Sequence, residues 1–230
     1  MTRTYAFPLM AALALLLSLP LRGQTILDVS AGASKQDRVA VNLALRRQFG
    51  ERFRGGLELQ AAAPAYRFIS AKPIREGYAF SASLPLAWRL AQEGPLRLDL
   101  FLRPGLRVQG VIDPDGNDQR DSILSSRALI FEPGLLLTFE ASERLRLMSG
   151  VSFPLSYEVQ PSALFENNVT ALHGGLGWQA APRTQLFVKA LAGPAAGGDG
   201  DTQKFMASFQ AGLRFSFGPK PATAPLEFSL

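Results

Sequence analysis

The sequence has no cysteine and a single histidine. The first absence excludes a disulfide framework, a thiolate metal site and a lipid-anchored N-terminal cysteine. The second excludes any multi-histidine metal centre. No phosphate-binding glycine loop, P-loop or dinucleotide fingerprint is present. Beyond Gly23 no run of about 18 apolar residues occurs, so no spanning helix is available. The basic excess is small: the net charge of +5 falls to about +3 once Arg3 and Arg22 are set aside. That balance gives no argument for nucleic-acid binding. Lysines are few beside arginines, a bias that suits fixed ion pairs better than a loosely solvated surface. A chain of 230 residues suits one domain.

Residues 1–23 have the layout of a secretory signal peptide. Arg3 supplies the positive start, Leu9 to Leu19 the apolar run, and Pro20 breaks it. Gly23 offers a small residue before a cut ahead of Gln24. The run is short for a transmembrane anchor.

The clearest pattern in the remainder is Leu96 to Gly110. Leu96, Leu98, Leu100, Leu102, Leu106 and Val108 share one parity, and Arg97, Asp99, Arg103, Arg107 and Gln109 share the other. A period of two gives one apolar and one charged face on a single strand. The strand exceeds the usual soluble length of about 5–6 residues and suffices to cross a bilayer, which takes roughly 9–11 tilted residues. Similar alternation predicts strands over 26–33, 39–49, 53–61, 78–90, 128–140, 144–157, 169–179, 184–193 and 206–217. Connections alternate between tight turns, as at Gly50–Glu51, Ser142–Glu143 and Pro182–Arg183, and mostly longer loops over 64–77, 113–127, 158–168 and 195–203. The expected fold is all-β: a transmembrane, antiparallel, up-and-down β-barrel of about ten strands, or eight without the first hairpin.

Alternation alone does not say which face is inside, and a soluble lipocalin-like barrel would turn its leucines inward. Strand length, small residues among the charges of the polar face, and aromatics near strand ends (Phe53, Tyr78, Trp88, Phe139, Tyr157, Trp178, Phe217) favour the membrane. Pro85, Pro104, Pro133 and Pro154 fall inside predicted strands, where each removes a ladder hydrogen bond. Arg103-Pro104-Gly105-Leu106 and Glu132-Pro133-Gly134-Leu135 read as one device used twice, a kink or bulge at matching heights on neighbouring strands.

With its signal segment, the hairpin Phe131 to Leu155 and a last strand ending at Phe217, the chain resembles the small bacterial outer-membrane β-barrel proteins of the OmpA/OmpX-like and porin-family type. The likeness spans residues 24–217. It implies a monomer in contact with outer-membrane lipids, inserted by the outer-membrane assembly machinery. The chain departs from that pattern in a proline-rich tail, 218–230.

Parity places Arg46, Arg54, Glu58, Arg97, Asp99, Arg103, Arg107, Glu132, Glu140, Arg144, Arg146, Lys189 and Arg214 in the lumen. Facing lipid, an arginine at the midplane would cost about 2–4 kcal/mol. Two functions fit these charges: a non-enzymatic barrel with a structural or interaction role, filled by Arg–carboxylate pairs, or a small passive pore with weak anion preference. A barrel hydrolase would need a nucleophile beside His173, and no motif places one there. The run Asp113 to Asp118 lacks the Gly and Glu of a calcium loop and reads as a turn-rich connection. No catalytic, cofactor or metal residue is assigned.

Overall fold

The computed structural model describes residues 24–34, 37–64, 77–112, 123–160, 164–197 and 203–218. The expected signal peptide (1–23), residues 219–230 of the tail and the Asp113 to Asp118 run lie outside them. Every regular element is a strand. β1 (Thr25–Ser34), β2 (Asp37–Phe49) and β3 (Phe53–Pro64) are followed by β4 (Gly77–Ser83) and β5 (Leu86–Glu93), then by β6 (Leu96–Ile112) and β7 (Ile123–Glu140). β8 (Leu145–Ser152), β9 (Leu155–Gln160), β10 (Leu164–Val169), β11 (Ala171–Ala181), β12 (Thr184–Gly197) and β13 (Gln203–Phe217) complete the chain. The pairs β4/β5, β8/β9 and β10/β11 are each one crossing with a short break, which makes ten spanning strands.

The sheet closes on itself. β13 pairs antiparallel with β1 from Thr25↔Phe217 to Ser34↔Ser208, so Phe217 ends the last strand beside the start of the first. Closure leaves no edge, and in hydrocarbon each unpaired backbone group would cost several kcal/mol. Tight turns carry glycine where the backbone demands it: Gly50 and Gly94 have φ of 69° and 54°, a region costly for residues with a Cβ.

The faces sort by parity. Leu43, Phe80, Leu106, Val108, Leu135, Leu137, Leu172 and Leu213 lie on the outside, with Leu172 as much as 66% exposed. Arg46, Glu58, Asp99, Arg103, Glu132, Gln185 and Arg214 are buried within. This arrangement is the reverse of a soluble barrel and suits hydrocarbon outside with a polar bore inside. At the turn end, Phe53 packs on Trp88 with ring centroids 4.4 Å apart. The bore is not wholly polar: Phe101, Leu136, Met148, Phe187, Leu191 and Met206 form a buried apolar cluster there.

Strands run further than the hydropathy suggested. Residues 123–127 belong to β7, 158–160 to β9 and 164–168 to β10. β12 continues through Gly197 and β13 begins at Gln203, so the expected loops over 113–127, 158–168 and 195–203 are shorter. The proline expectation also needs correcting. Pro104 and Pro133 do lie at matching heights, flanking the Arg103↔Glu132 rung, but β6 and β7 pair through both without a register shift. The disturbance is in the outer neighbours. Leu84 N–H donates to Pro104 O (2.8 Å), Phe153 N–H to Pro133 O (2.9 Å) and Thr170 N–H to Pro194 O (3.2 Å). Each proline accepts a bond but has no N–H to return. The rung is half made, and the facing strand is interrupted there: between β4 and β5, β8 and β9, and β10 and β11.

Candidate functional site

The bore is the only region where charged side chains converge among the described residues. Midway along it, consecutive strands supply alternating charges. Arg214 on β13 grips Asp28 on β1 in a fork, Nε to Oδ1 and Nη2 to Oδ2, both 2.7 Å. Asp28 also accepts from Arg46 Nη1 on β2, and Arg46 Nη2 donates to Glu58 Oε2 on β3 at 3.2 Å. Glu58 lies 3.7 Å from Arg103 Nη1 on β6. Arg103 donates in turn to Glu132 on β7. Ser152 Oγ on β8 donates to Glu132 Oε1 (2.6 Å) and lies 2.5 Å from His173 Nε2 on β11. On β12, Lys189 is buried within electrostatic reach of Asp28 and Glu58. Every spanning strand except the broken β4/β5 contributes to this belt.

Two smaller groups flank it. Toward the tight turns, Asp99 accepts from Arg54 Nη2 (2.9 Å) and from Arg97 through Nε (2.8 Å) and Nη2 (3.1 Å). Toward the other end, Arg107 donates to both oxygens of Asp37, at 2.6 and 3.3 Å.

These groups account for Arg46, Arg54, Glu58, Arg97, Asp99, Arg103, Arg107, Glu132, Lys189 and Arg214. Of the residues that parity placed in the lumen, one lies outside it and one only at its rim. Arg144 is exposed in the turn before β8, and Glu140 is the exposed last residue of β7. Alternation was extended one rung too far at Arg144, because β8 begins only after Ser142 Oγ takes up the N–H groups of Arg144 and Leu145. Arg146 does point inward, with Nε 3.5 Å from Glu140 at the rim. Asp28, Asp37 and Ser152 were not among the candidate residues. Their signal was weak: Asp28 is the one charge of β1, Asp37 opens β2 at the edge of the alternating run, and Ser152 is an uncharged residue of inward parity.

Ser152, His173 and Glu132 have the residue types of a nucleophile, a base and an acid, in a different order from a triad. A triad has histidine between serine and acid. Here serine lies between the other two. Ser152 has one hydroxyl proton. With that hydroxyl donated to Glu132, Oγ is left to accept from His173 when Nε2 carries the ring proton. Ser152 and Glu132 are fully enclosed, and the edge of His173 meets the Phe101 ring at 6.1 Å. The group links β7, β8 and β11 through side-chain hydrogen bonds.

No protein-family profile matches the chain, and no curated protein sequence is similar to it. Solved structures do resemble it in shape. The translocator domain of the autotransporter NalP from Neisseria meningitidis aligns over 92% of this chain and 94% of its own, with TM-score 0.52 and 13% identity. The outer membrane protease OmpT from Escherichia coli aligns over 87% and 98%, with TM-score 0.49 and 11% identity. A major outer membrane protein from Thermus thermophilus aligns over 84% and 99%, with TM-score 0.39 and 13% identity. The NalP likeness is one of fold. With the closed ten-strand sheet and its apolar exterior, it makes this chain a small barrel of the bacterial outer-membrane type.

Proposed function

We propose that the chain resides in the bacterial outer membrane as a non-enzymatic barrel. In this reading its bore is closed by paired charges, and its role is structural or interactive, carried by the connections opposite the tight turns. The observation behind it is the run Arg214–Asp28–Arg46–Glu58–Arg103–Glu132–Ser152–His173. Its members alternate in sign where they are charged, and each is at most 5% exposed. A conducting filter presents a ring of one charge or an open file of ligands that an ion can enter and leave. Here each arginine already has a carboxylate and each carboxylate a donor. Phe101, Leu136 and Phe187 occupy further space inside.

Planar-bilayer recording of the purified full chain tests this reading. Closed pairs predict silence at all voltages. Discrete open steps would overturn it in favour of a small passive pore, and reversal potentials in a salt gradient would then measure its anion preference. Recovery in the outer-membrane fraction, with a gel mobility shift on boiling, tests the location and the barrel state together.

A further inference from the structure

On the turn side of the belt, arginines outnumber carboxylates inside the bore among the described residues. Arg54, Arg89, Arg97 and Arg146 converge there on Asp99 and on Glu140, which lies at the rim with 45% of its side chain exposed. Arg146 is mostly enclosed and lies within electrostatic reach of two like charges, Arg97 and Arg214. Guanidinia do not gather in this way for their own stability, because each repels the others.

Unpaired polar groups lie beside Arg97 and Arg214. Gln185 is 1% exposed, and neither its Nε2 nor its Oε1 has a hydrogen-bond partner among the described residues. Thr138 Oγ1 and Ser216 Oγ are buried in the same condition. The register sets Gln185 opposite Arg214 and Thr138 opposite Arg97. Ser216 is the next inward residue after Arg214 on β13. Between Arg146 on β8 and Phe187 on β12, the β11 residue is Gly177, which puts no side chain into the bore. A buried amide or hydroxyl left unsatisfied costs about 1–3 kcal/mol. Three on one side of a bore, next to excess positive charge, leave one amide and two hydroxyl donors unmet, together with the Gln185 carbonyl acceptor.

We propose that Arg146, Arg97, Gln185, Thr138 and Ser216 form an oxyanion-binding site at the turn-side end of the bore, for a phosphate or carboxylate group. The anion takes charge-assisted bonds from the guanidinia. It also accepts from the Gln185 amide and the two hydroxyls, which relieves the repulsion and the unmet donors together. The site does not depend on whether the belt above it is closed.

Inorganic phosphate is the probe. Titrated calorimetrically into the full chain in detergent, against chloride at equal ionic strength, it should bind in a 1:1 ratio and raise the temperature at which the folded gel band is lost. Arg146→Gln and Gln185→Leu should each weaken binding at least tenfold while the folded band persists. Acetate and a phospholipid headgroup analogue, run in parallel, distinguish a free anion from a lipid source. Phosphate behaving like chloride would overturn the proposal. So would Gln185→Leu stabilising the barrel with phosphate binding unchanged, since the amide would then be meeting water alone. Neither result bears on conductance, so failure here is distinct from failure of the closed-barrel reading.

Discussion

Replacing Asp28 by leucine tests whether the belt is dry. Asp28 holds the Arg214 fork and one bond from Arg46, and the three side chains are 6%, 0% and 3% exposed. Arg46 keeps Glu58 at 3.2 Å, so the loss falls mainly on Arg214, whose guanidinium is sealed in without that carboxylate. Removing one partner of a buried pair costs about 3–5 kcal/mol, whereas an ion pair in contact with water is worth about 0–1 kcal/mol. The structure places Asp28→Leu in the first range. The double variant Asp28→Leu/Arg214→Met, which leaves no orphan charge, should recover a large part of the loss, because apolar replacement of a whole buried pair is often neutral. Urea unfolding in lipid vesicles, followed by the fluorescence of the two outward tryptophans Trp88 and Trp178, measures both. A cost below about 1 kcal/mol for the single variant would mean a wetted bore and would refute the closed belt.

Three further outcomes are expected. His173→Ala and Ser152→Ala should leave lipid-hydrolysis and peptidase assays at background while each lowers stability by about 1–3 kcal/mol through the unmet Glu132 carboxylate and its neighbours; a measurable activity lost in either variant would revive the hydrolase reading. Leu135→Arg, on the outer face, should cost about 2–4 kcal/mol near the midplane, and a cost near zero in vesicles would put the leucines away from lipid. Gly134→Leu should destabilise by about 1–3 kcal/mol through overpacking, because a Cβ there would run into the Phe101 ring; retained stability would show that the bore has room to spare.

The strands and their two faces were legible because parity is a local property. Leu96 to Gly110 carries its own evidence, and the same count located the other nine crossings. What parity cannot carry is partnership. Asp28 and Arg214 meet across the seam that closes the barrel, 186 residues apart in sequence. Ser152 reaches His173 because β8 and β11 are neighbours with Ala171 opposite Ser152. Neither pairing has a sequence signal until the register is known. The inward apolar residues were missed for a different reason. Phe101 and Leu136 share their face with Asp99, Arg103, Glu132 and Thr138, and a face dominated by charge masks single hydrophobes. Inside they fill space that charged side chains, held apart by their pairing, leave open.

The prolines show how side chains and backbone divide the work at the level of the belt. Arg103 precedes Pro104 and Glu132 precedes Pro133, so the half-made rungs at Leu84 and Phe153 lie beside the Arg103–Glu132 pair. Backbone pairing is thinned on the outer side of both β6 and β7. At this height Ser152 to Glu132 crosses one thinned junction, between β7 and β8, while Arg103 to Glu132 reinforces the fully paired β6–β7 junction. Ser152 is the last residue of β8, immediately before the break. Pro133→Ala would return one N–H to the ladder, a gain of about 0.5–1.5 kcal/mol. It would also free the unfolded chain by about 0.4–1 kcal/mol, so unfolding in vesicles should shift by less than about 1 kcal/mol. Glu132→Ala, which removes the acceptor shared by Arg103 and Ser152, should cost about 3–5 kcal/mol. If the order were reversed, with the alanine at Pro133 moving stability more than the loss of Glu132, the strands at this level would be held by their backbone and the charges would be passengers.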